Sequence, residues 1–348
     1  MEGYQVKEIG FGVIGLGTIA KTHMDAIAIT DGARLVAVAS HTEDKARKVG
    51  EEKGIAWYSD HRELLKNPDV DVVCVCTPSG VRGQIIIDAA RAGKHIVAEK
   101  PLEVTLEKVD AVLKECELAG VKLMSVFQNR FFGPLKDLKK AVDEGRLGRL
   151  TIGDAYVKWF RPQSYYESAA WRGTWELDGG GALMNQGIHY VDLLQWIMGP
   201  VESVFAYTDT LVREKIEVED TLVACLRFKN GAMGTIEACT SSYPGRPASL
   251  EIHGEKGTIV VADGVVSMWK IKGEGDYVPH DTAAAGGAAD PSAISCTAHQ
   301  RQIDDMVRAI NENRPPIVDG REGRKSIEII TAIYKSAQTG EMVRLPLG

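Results

Sequence analysis

The sequence of 348 residues contains no uninterrupted apolar run of the roughly 18 residues that a membrane-spanning helix requires. Its first residues, Met1-Glu2-Gly3-Tyr4-Gln5-Val6-Lys7-Glu8, lack a basic region followed by an apolar core. These absences argue against export and membrane insertion and predict a cytoplasmic protein with no membrane partner. Cysteine pairing signals are missing too. The six cysteines (Cys74, Cys76, Cys116, Cys225, Cys239 and Cys296) form no C-x-x-C pair and no Cys/His cluster of zinc spacing, so they read as buried thiols in a reducing compartment, and no metal site is expected. An excess of positive charge is also absent, because 41 Lys and Arg face 48 Asp and Glu for a formal net charge of −7. The most basic short stretch, from Lys136 to Arg149, is interrupted by Asp137, Asp143 and Glu144 and reads as a solvated helix face, which leaves no footprint for nucleic acid. No repeat of solenoid period occurs.

What is present is an ordinary globular composition, 44% apolar and 26% charged, in a chain long enough for two domains. From Ile9 to about Phe127 short apolar runs (Ile9–Ile14, Leu35–Ala39, Val70–Cys76, Ile96–Ala98, Leu123–Val126) alternate with helix-like segments (Ile19–Ile29, Thr42–Lys53, Arg62–Lys66, Gln84–Ala92, Leu106–Ala119). Strands that must be joined through helices form parallel sheets covered on both faces, so residues 1–128 are predicted to be a doubly wound α/β domain. Residues 129–348 have a different texture. A helix-like stretch at Leu135–Glu144 and a strand-like run at Thr151–Trp159 lead to a helix signal from Ala182 to Met198. Strand-like runs then follow at Val201–Leu211, Thr221–Phe228, Ala232–Ala238, Ser249–His253, Thr258–Val261 and Val265–Trp269, separated by turn signals such as Lys229-Asn230-Gly231. This is the pattern of an antiparallel sheet. The Ala- and Gly-rich stretch from Thr282 to Pro291 reads as a flexible loop, and helices at Gln300–Asn311 and Gly323–Ser336 end the chain, the last of them able to pack back on the first domain.

Chemistry enters at Gly15-Leu16-Gly17-Thr18-Ile19-Ala20, at the end of the first apolar run and the start of the first helix. In such a G-x-G-x-x-A turn the first glycine permits the tight bend and the second lets backbone approach a pyrophosphate. The small third residue allows close helix-strand packing, while the helix N-terminus attracts negative charge. Gly15, Gly17, Thr18 and Ile19 are therefore candidate dinucleotide contacts. After the second strand the chain reads Ser40-His41-Thr42, without the acid that often selects a ribose 2′-hydroxyl. Ser40 suits either cofactor and His41 suits a 2′-phosphate or an exposed turn, so NAD and NADP both stay open.

Two further motifs, Cys76-Thr77-Pro78 and Ala98-Glu99-Lys100-Pro101, join the glycine fingerprint, and a third, Gly179-Gly180-Gly181-Ala182-Leu183-Met184-Asn185-Gln186-Gly187-Ile188-His189-Tyr190-Val191-Asp192, lies in the second half. In this order they resemble the Gfo/Idh/MocA family of oxidoreductases. The resemblance implies an N-terminal Rossmann domain with a doubly wound parallel sheet, and a C-terminal α/β domain with a large, open, mostly antiparallel sheet. It also implies NAD or NADP at the C-terminal ends of the parallel strands, with Thr77, Pro78, Glu99 and Lys100 among its contacts, and a sugar-like substrate between nicotinamide and second domain. Many members pair through the open sheet, which implies a homodimer or homotetramer.

Lys100 matches the lysine of the family's E-K-P motif. A lysine beside an oxidised nicotinamide is desolvated and near positive charge, conditions that lower an amine's pKa toward the range useful for proton transfer, so it is the predicted general acid/base. The Lys100-Pro101 bond is open to either isomer. His189 matches the histidine of the second-domain motif and is predicted to assist. Asn185, one turn earlier, stands where many relatives have aspartate; it cannot act as a base but can hold a substrate hydroxyl. Asp192 reads either as an orienting residue or as a local structural one, and Arg82 either as a phosphate or substrate contact or as a solvated side chain. Between Lys158 and Trp175 aromatics and arginines concentrate, and Arg161, Tyr165, Trp171 and Arg172 are candidate substrate contacts: rings suit the C–H faces of a sugar and guanidinium suits a carboxylate or phosphate. The same side chains also suit a brace for a lid or an oligomer interface. The predicted activity is hydride transfer between nicotinamide and a hydroxyl-bearing carbon of a sugar, polyol, glycoside or nucleotide sugar. The alternatives are a redox-neutral sugar enzyme with tightly bound NAD and a non-catalytic dinucleotide sensor.

Overall fold

The computed structural model describes residues 7–279 and 296–347; the predicted loop from Thr282 to Pro291 lies outside them. The described chain divides into two compact units, one formed by residues 7–128 and 296–324 and the other by residues 129–279 and 325–347.

The first unit is built on strands β1 (Ile9–Ile14), β2 (Ala33–Ala39), β3 (Ala56–Tyr58), β4 (Val72–Val75), β5 (His95–Ala98) and β6 (Leu123–Ser125), joined by helices α1 (Thr18–Ala28), α2 (Glu43–Lys53), α3 (His61–Leu65), α4 (Ser79–Arg91) and α5 (Leu106–Leu118). The strands pair in the order β3-β2-β1-β4-β5-β6, every pair parallel. Every residue of β1 and β4 is buried, as expected for strands covered on both faces. The order reverses between β1 and β4, and the crevice at such a switch point is where doubly wound sheets bind ligands. The sequence pattern missed β3, a three-residue edge strand too short to show a period. It also began α4 late. The helix starts at Ser79 directly after Pro78, and its first turns carry small residues because α4 is closely approached there: a Cβ on Gly83 would lie 2.6 Å from Glu103 Cγ.

The second unit begins with α6 (Gly133–Asp143) and β7 (Leu150–Lys158), followed by α7 (Gln163–Glu167), a π-helical segment (Ala182–Gly187), α8 (Ile188–Met198) and strands β8 (Val201–Asp209), β9 (Thr221–Phe228), β10 (Met233–Cys239), β11 (Ser249–Gly254), β12 (Gly257–Ala262) and β13 (Val265–Ile271). The sheet runs β13-β12-β11-β7-β10-β9-β8-β14, where β14 is Val343–Arg344. All its pairs are antiparallel except β7 with β10. Along β9 Leu222, Ala224, Leu226 and Phe228 are buried while Val223, Cys225 and Arg227 face outward, the period of two for a sheet packed on one side. Cys225 is therefore exposed rather than a buried thiol. Its outward face also carries the exposed side chains of Tyr207, Met233, Ile152 and Met268.

One assignment from sequence needs correction. Helix α9 (Thr297–Asn311) belongs to the first unit, and the boundary between units falls within α10 (Gly320–Thr339), so residues 129–348 are not one contiguous domain. The reason is an apolar stripe: Ile303, Met306 and Val307 pack into the cluster of Ala20, Met24 and Ile27 from α1 with Phe11 and Val13 from β1. Burying each of these three side chains is worth roughly 1.5–3 kcal/mol.

Candidate active site

In the first unit the predicted cofactor residues gather at the C-terminal ends of β1, β2, β4 and β5. Gly15 has φ +88°, and a Cβ there would lie 2.9 Å from Thr77 Cγ2, so both backbone shape and the neighbouring strand end demand glycine. A Cβ on Gly17 would meet nothing within 4 Å. Gly17 and Thr18 are exposed at the N-terminus of α1, whose first turn holds no acidic residue, while Ile19 is half-buried. The hydroxyl of Thr77 is buried without a hydrogen-bond partner. An open glycine cradle, a helix N-terminus free of negative charge and an orphaned hydroxyl suit the pyrophosphate of a dinucleotide. Ser40 is buried and its Oγ accepts the backbone N–H of Thr42 at 3.2 Å, which shapes the turn, while His41 is exposed. Pro78 caps α4.

Lys100 is half-buried after β5, and the Lys100-Pro101 bond is cis. Glu99 beside it turns inward. Its Oε1 faces His23 Nε2 at 2.9 Å and its Oε2 accepts the Lys100 backbone N–H at 3.1 Å. A carboxylate removed from water needs such partners. Burial opposes ionisation of Glu99, but His23 and His299 beside it hold its pKa well below the usual carboxylate value. Burial also works against charge on His23, yet the Cys76 and Cys74 sulfurs and the Glu99 carboxylate raise its pKa well above the ordinary imidazole value. Arg82 is not the solvated side chain of one expectation: it is buried, and its guanidinium donates to the carbonyls of Pro101 and Thr77, tying together the loops that follow β5 and β4.

In the second unit the helix expected from Ala182 to Met198 is π-helical up to Gly187, a departure that recurs at functional sites, and it carries Asn185; His189 follows on the first turn of α8. Both side chains are half-buried, and Asn185 Nδ2 donates to Asp178 Oδ1 at 2.7 Å. The start of the segment is held by Glu219, whose Oε2 accepts the N–H of Gly181 at 2.9 Å and whose Oε1 accepts the N–H of Leu183 at 2.8 Å and the hydroxyl of Tyr334 at 2.9 Å. Burial lifts the Glu219 pKa to about 7 in spite of these donors.

The predicted aromatic and arginine residues come together. The Arg172 guanidinium lies over Tyr165 at 4.1 Å and Trp171 at 4.5 Å and donates to the Tyr165 hydroxyl at 2.5 Å. Arg161, buried, lies over Trp159 at 5.1 Å and Tyr165 at 5.8 Å. Gln186 donates to the same Tyr165 hydroxyl at 3.2 Å and so links the cluster to the segment that carries Asn185. Asp192 resolves as structural: it is fully buried and receives Arg130 through Nε at 2.8 Å and Nη2 at 2.6 Å. Sequence reasoning missed Arg130, Asp178, Gln186, Glu219, His23 and His299. The only available signal was indirect, in that a charged residue inside an apolar run, such as Asp192, implies an opposite charge elsewhere.

Residues 9–127 match the family described as oxidoreductases with an NAD-binding Rossmann fold, and residues 135–260 match the GFO/IDH/MocA C-terminal domain. The chain is 31% identical to myo-inositol 2-dehydrogenase of Thermotoga maritima over 96% of its own length and 98% of the relative's. The chain belongs to the Gfo/Idh/MocA oxidoreductase family. Among solved structures of the family, the WlbA dehydrogenase from Bordetella pertussis in complex with NADH and UDP-GlcNAcA superposes with a TM-score of 0.88 at 39% identity, covering 98% of this chain and 99% of that one. A levoglucosan dehydrogenase in complex with NADH and levoglucosan superposes with a TM-score of 0.86 at 25% identity, covering 97% of this chain and 100% of the other. The protein is accordingly an oxidoreductase whose first unit is an NAD-binding Rossmann domain, and the relatives it resembles are dehydrogenases of sugar-like alcohols. None of the described helices is long and apolar enough to cross a membrane.

Proposed function

We propose that this member of the family oxidises an acidic nucleotide sugar, with Lys100 as the general acid/base, His189 assisting it and Asn185 holding a substrate hydroxyl. The observation that carries the substrate class is the arginine and aromatic cluster. Two guanidinium groups, Arg161 and Arg172, stand among Trp159, Tyr165 and Trp171, which together offer cations for a carboxylate or diphosphate and flat faces for sugar and base. A neutral polyol such as inositol needs neither cation. The likeness to a structure holding UDP-GlcNAcA supports the same class.

When bound, the cofactor supplies a hydride acceptor at its nicotinamide; Gly15, Gly17, Thr18, Ile19 and Thr77 would hold its pyrophosphate end. Lys100 takes the proton of the reacting hydroxyl as the carbon beneath it loses hydride, and in the reverse direction returns it to the carbonyl oxygen. Asn185, fixed by Asp178, contributes orientation and no proton. The open face of the second unit, with Tyr207, Val223, Ile152, Met233 and Met268 exposed on it, is the surface we assign to self-association. Unpaired thiols on four buried positions suit the reducing cytoplasm.

The test is the ultraviolet absorbance of reduced nicotinamide when purified protein receives NAD or NADP with UDP-N-acetylglucosaminuronate, other UDP-sugars, uronates, inositols and glycosides, alongside Lys100→Met. Turnover confined to UDP-sugar acids, lost in Lys100→Met with cofactor affinity retained, is the expected result. Turnover of inositols alone would refute the substrate class, and an active Lys100→Met would refute the role of the lysine. A flat trace with NAD retained by the protein would favour redox-neutral chemistry.

A further inference from the structure

We infer that His23 and His299 are positioning residues for Lys100, acting through the Glu99 carboxylate that both of them face. This rests on the reading of Lys100 as the acid/base.

The three side chains come from elements distant in sequence: His23 from the middle of α1, Glu99 from the end of β5 and His299 from the first turn of α9. All are buried, the two imidazoles to 1% exposure. Glu99 Oε1 lies 2.9 Å from His23 Nε2 and 3.8 Å from His299 Nε2, and the imidazole rings meet edge to face at 5.2 Å. The other oxygen, Oε2, receives the N–H of Lys100 at 3.1 Å. On its far side Lys100 is followed by Pro101, whose carbonyl is gripped by Arg82. The main chain of Lys100 is thus clamped between a carboxylate and a guanidinium; His23 holds that carboxylate by a hydrogen bond, and His299 stands behind it at ion-pair distance.

A purely structural filling of this space would be cheaper as an apolar one. Buried charges carry a desolvation cost that their mutual attraction often fails to exceed, and replacement by hydrocarbon is commonly neutral or stabilising. Holding three titratable side chains there gains direction instead. A hydrogen-bonded carboxylate fixes an N–H vector, and reaching a near-attack geometry at the lysine depends on that vector, since a misplacement of about 1 Å can cost about a hundredfold in rate.

The cluster is also proton-dependent. The titratable groups facing it are His23 on α1, Cys74 on β4 and Cys76 just after it, Glu99 and Lys100 after β5, and His299 on α9. An ionised Glu99 with a charged His23 and a neutral His299 is electrically balanced. Burial lowers the His299 pKa despite the neighbouring Glu99, so a proton forced onto it in acid adds uncompensated charge beneath Lys100. The unfolded chain binds that proton near the ordinary imidazole value while the fold refuses it, so stability falls as pH drops below about 6.5.

The experiment is competitive acetylation of the full-length protein with acetic anhydride from pH 5 to 9, read lysine by lysine by mass spectrometry, for wild type, His299→Gln, His299→Leu and His23→Gln. Turnover with UDP-N-acetylglucosaminuronate, NADH affinity and bound metal content are measured in parallel. The glutamine variant retains an amide N–H without a titration, so it is expected to keep wild-type Lys100 reactivity at pH 8 while losing the change in that reactivity on the acid side. The leucine variant is expected to change Lys100 labelling by about tenfold, with Lys21, Lys94 and Lys108 unaffected and NADH affinity within about twofold. Lys100 labelling equal to wild type in both leucine and glutamine variants would overturn the inference, as would all lysines changing together, which would signal general loosening. One equivalent of tightly bound metal would overturn it as well, by making the three side chains ligands. Because labelling reads Lys100 without turnover, it stands apart from the outcome of Lys100→Met, on which the catalytic reading depends.

Discussion

Replacing Asp192 by alanine should destabilise the second unit without touching the chemistry. Asp192 is fully buried on α8, and its two oxygens take two parallel hydrogen bonds from Arg130, at 2.8 and 2.6 Å, with the Ser326 hydroxyl 3.4 Å away. The guanidinium, itself buried and lying 5.3 Å from the centre of the Trp196 ring, would keep its charge and lose the carboxylate opposite it. Removing one partner of a buried pair costs roughly 3–5 kcal/mol. For a unit of this size each kcal/mol moves the midpoint by roughly 2–4 °C, so the transition should fall by about 10 °C. Calorimetry and urea unfolding of Asp192→Ala, Arg130→Met and the double variant form a cycle. The double variant should be more stable than Asp192→Ala alone, because deleting both charges deletes the unmet desolvation cost. A loss under about 1 kcal/mol in Asp192→Ala, or strictly additive costs, would refute the assignment of this pair as a structural lock. A shifted pH profile of turnover in that variant would favour the orienting reading of Asp192 instead.

Two more outcomes follow from features away from Lys100. Glu219 has a pKa raised from 4.5 to about 7 in the fold, so between those values the unfolded chain releases a proton that the fold keeps, and stability falls as pH rises through this window before levelling off. The stability difference between wild type and Glu219→Gln should therefore shrink by at most about 3 kcal/mol from pH 4.5 to pH 8; urea midpoints at several pH values read it, and a constant difference would contradict the raised pKa. On the open sheet, the double substitution Val223→Lys with Met233→Lys should lower the sedimenting mass to that of one chain while leaving the thermal transition of the fold in place. An unaltered assembly would move the interface elsewhere.

Local pattern made much of the fold legible. The alternation of apolar runs with helix-like segments announced a parallel sheet covered on both faces, and short strand-like runs joined by turn signals announced an antiparallel one. The glycine turn was readable because a positive φ at Gly15 leaves few alternatives to glycine. What escaped was non-local. His23, Glu99 and His299 meet only after the sheet is assembled, and nothing in their spacing announces it. Arg130 and Asp192 are partners across a long stretch of chain, and Glu219 finds its donors at Gly181 and Leu183 and in the far hydroxyl of Tyr334. The π turn was hidden because a period slightly longer than that of an α-helix leaves apolar spacings of three, four and five, which an amphipathic helix of uneven surface also shows. Helix α9 was placed in the wrong unit because amphipathic periodicity says that a face is covered and not by what.

The return of α9 to the first unit bears on how this protein is made. A ribosome releases β1 to β6 long before it reaches Ile303, Met306 and Val307, so Ala20, Met24 and Ile27 wait with one side of their core unfilled while strands β7 to β13 of the second sheet are synthesised. The dinucleotide fold is therefore not a cassette that can be cut out at residue 128. A fragment ending there would present an apolar groove along α1 to solvent and be prone to aggregate, whereas one supplied with the α9 segment in trans would have the missing wall to fold against.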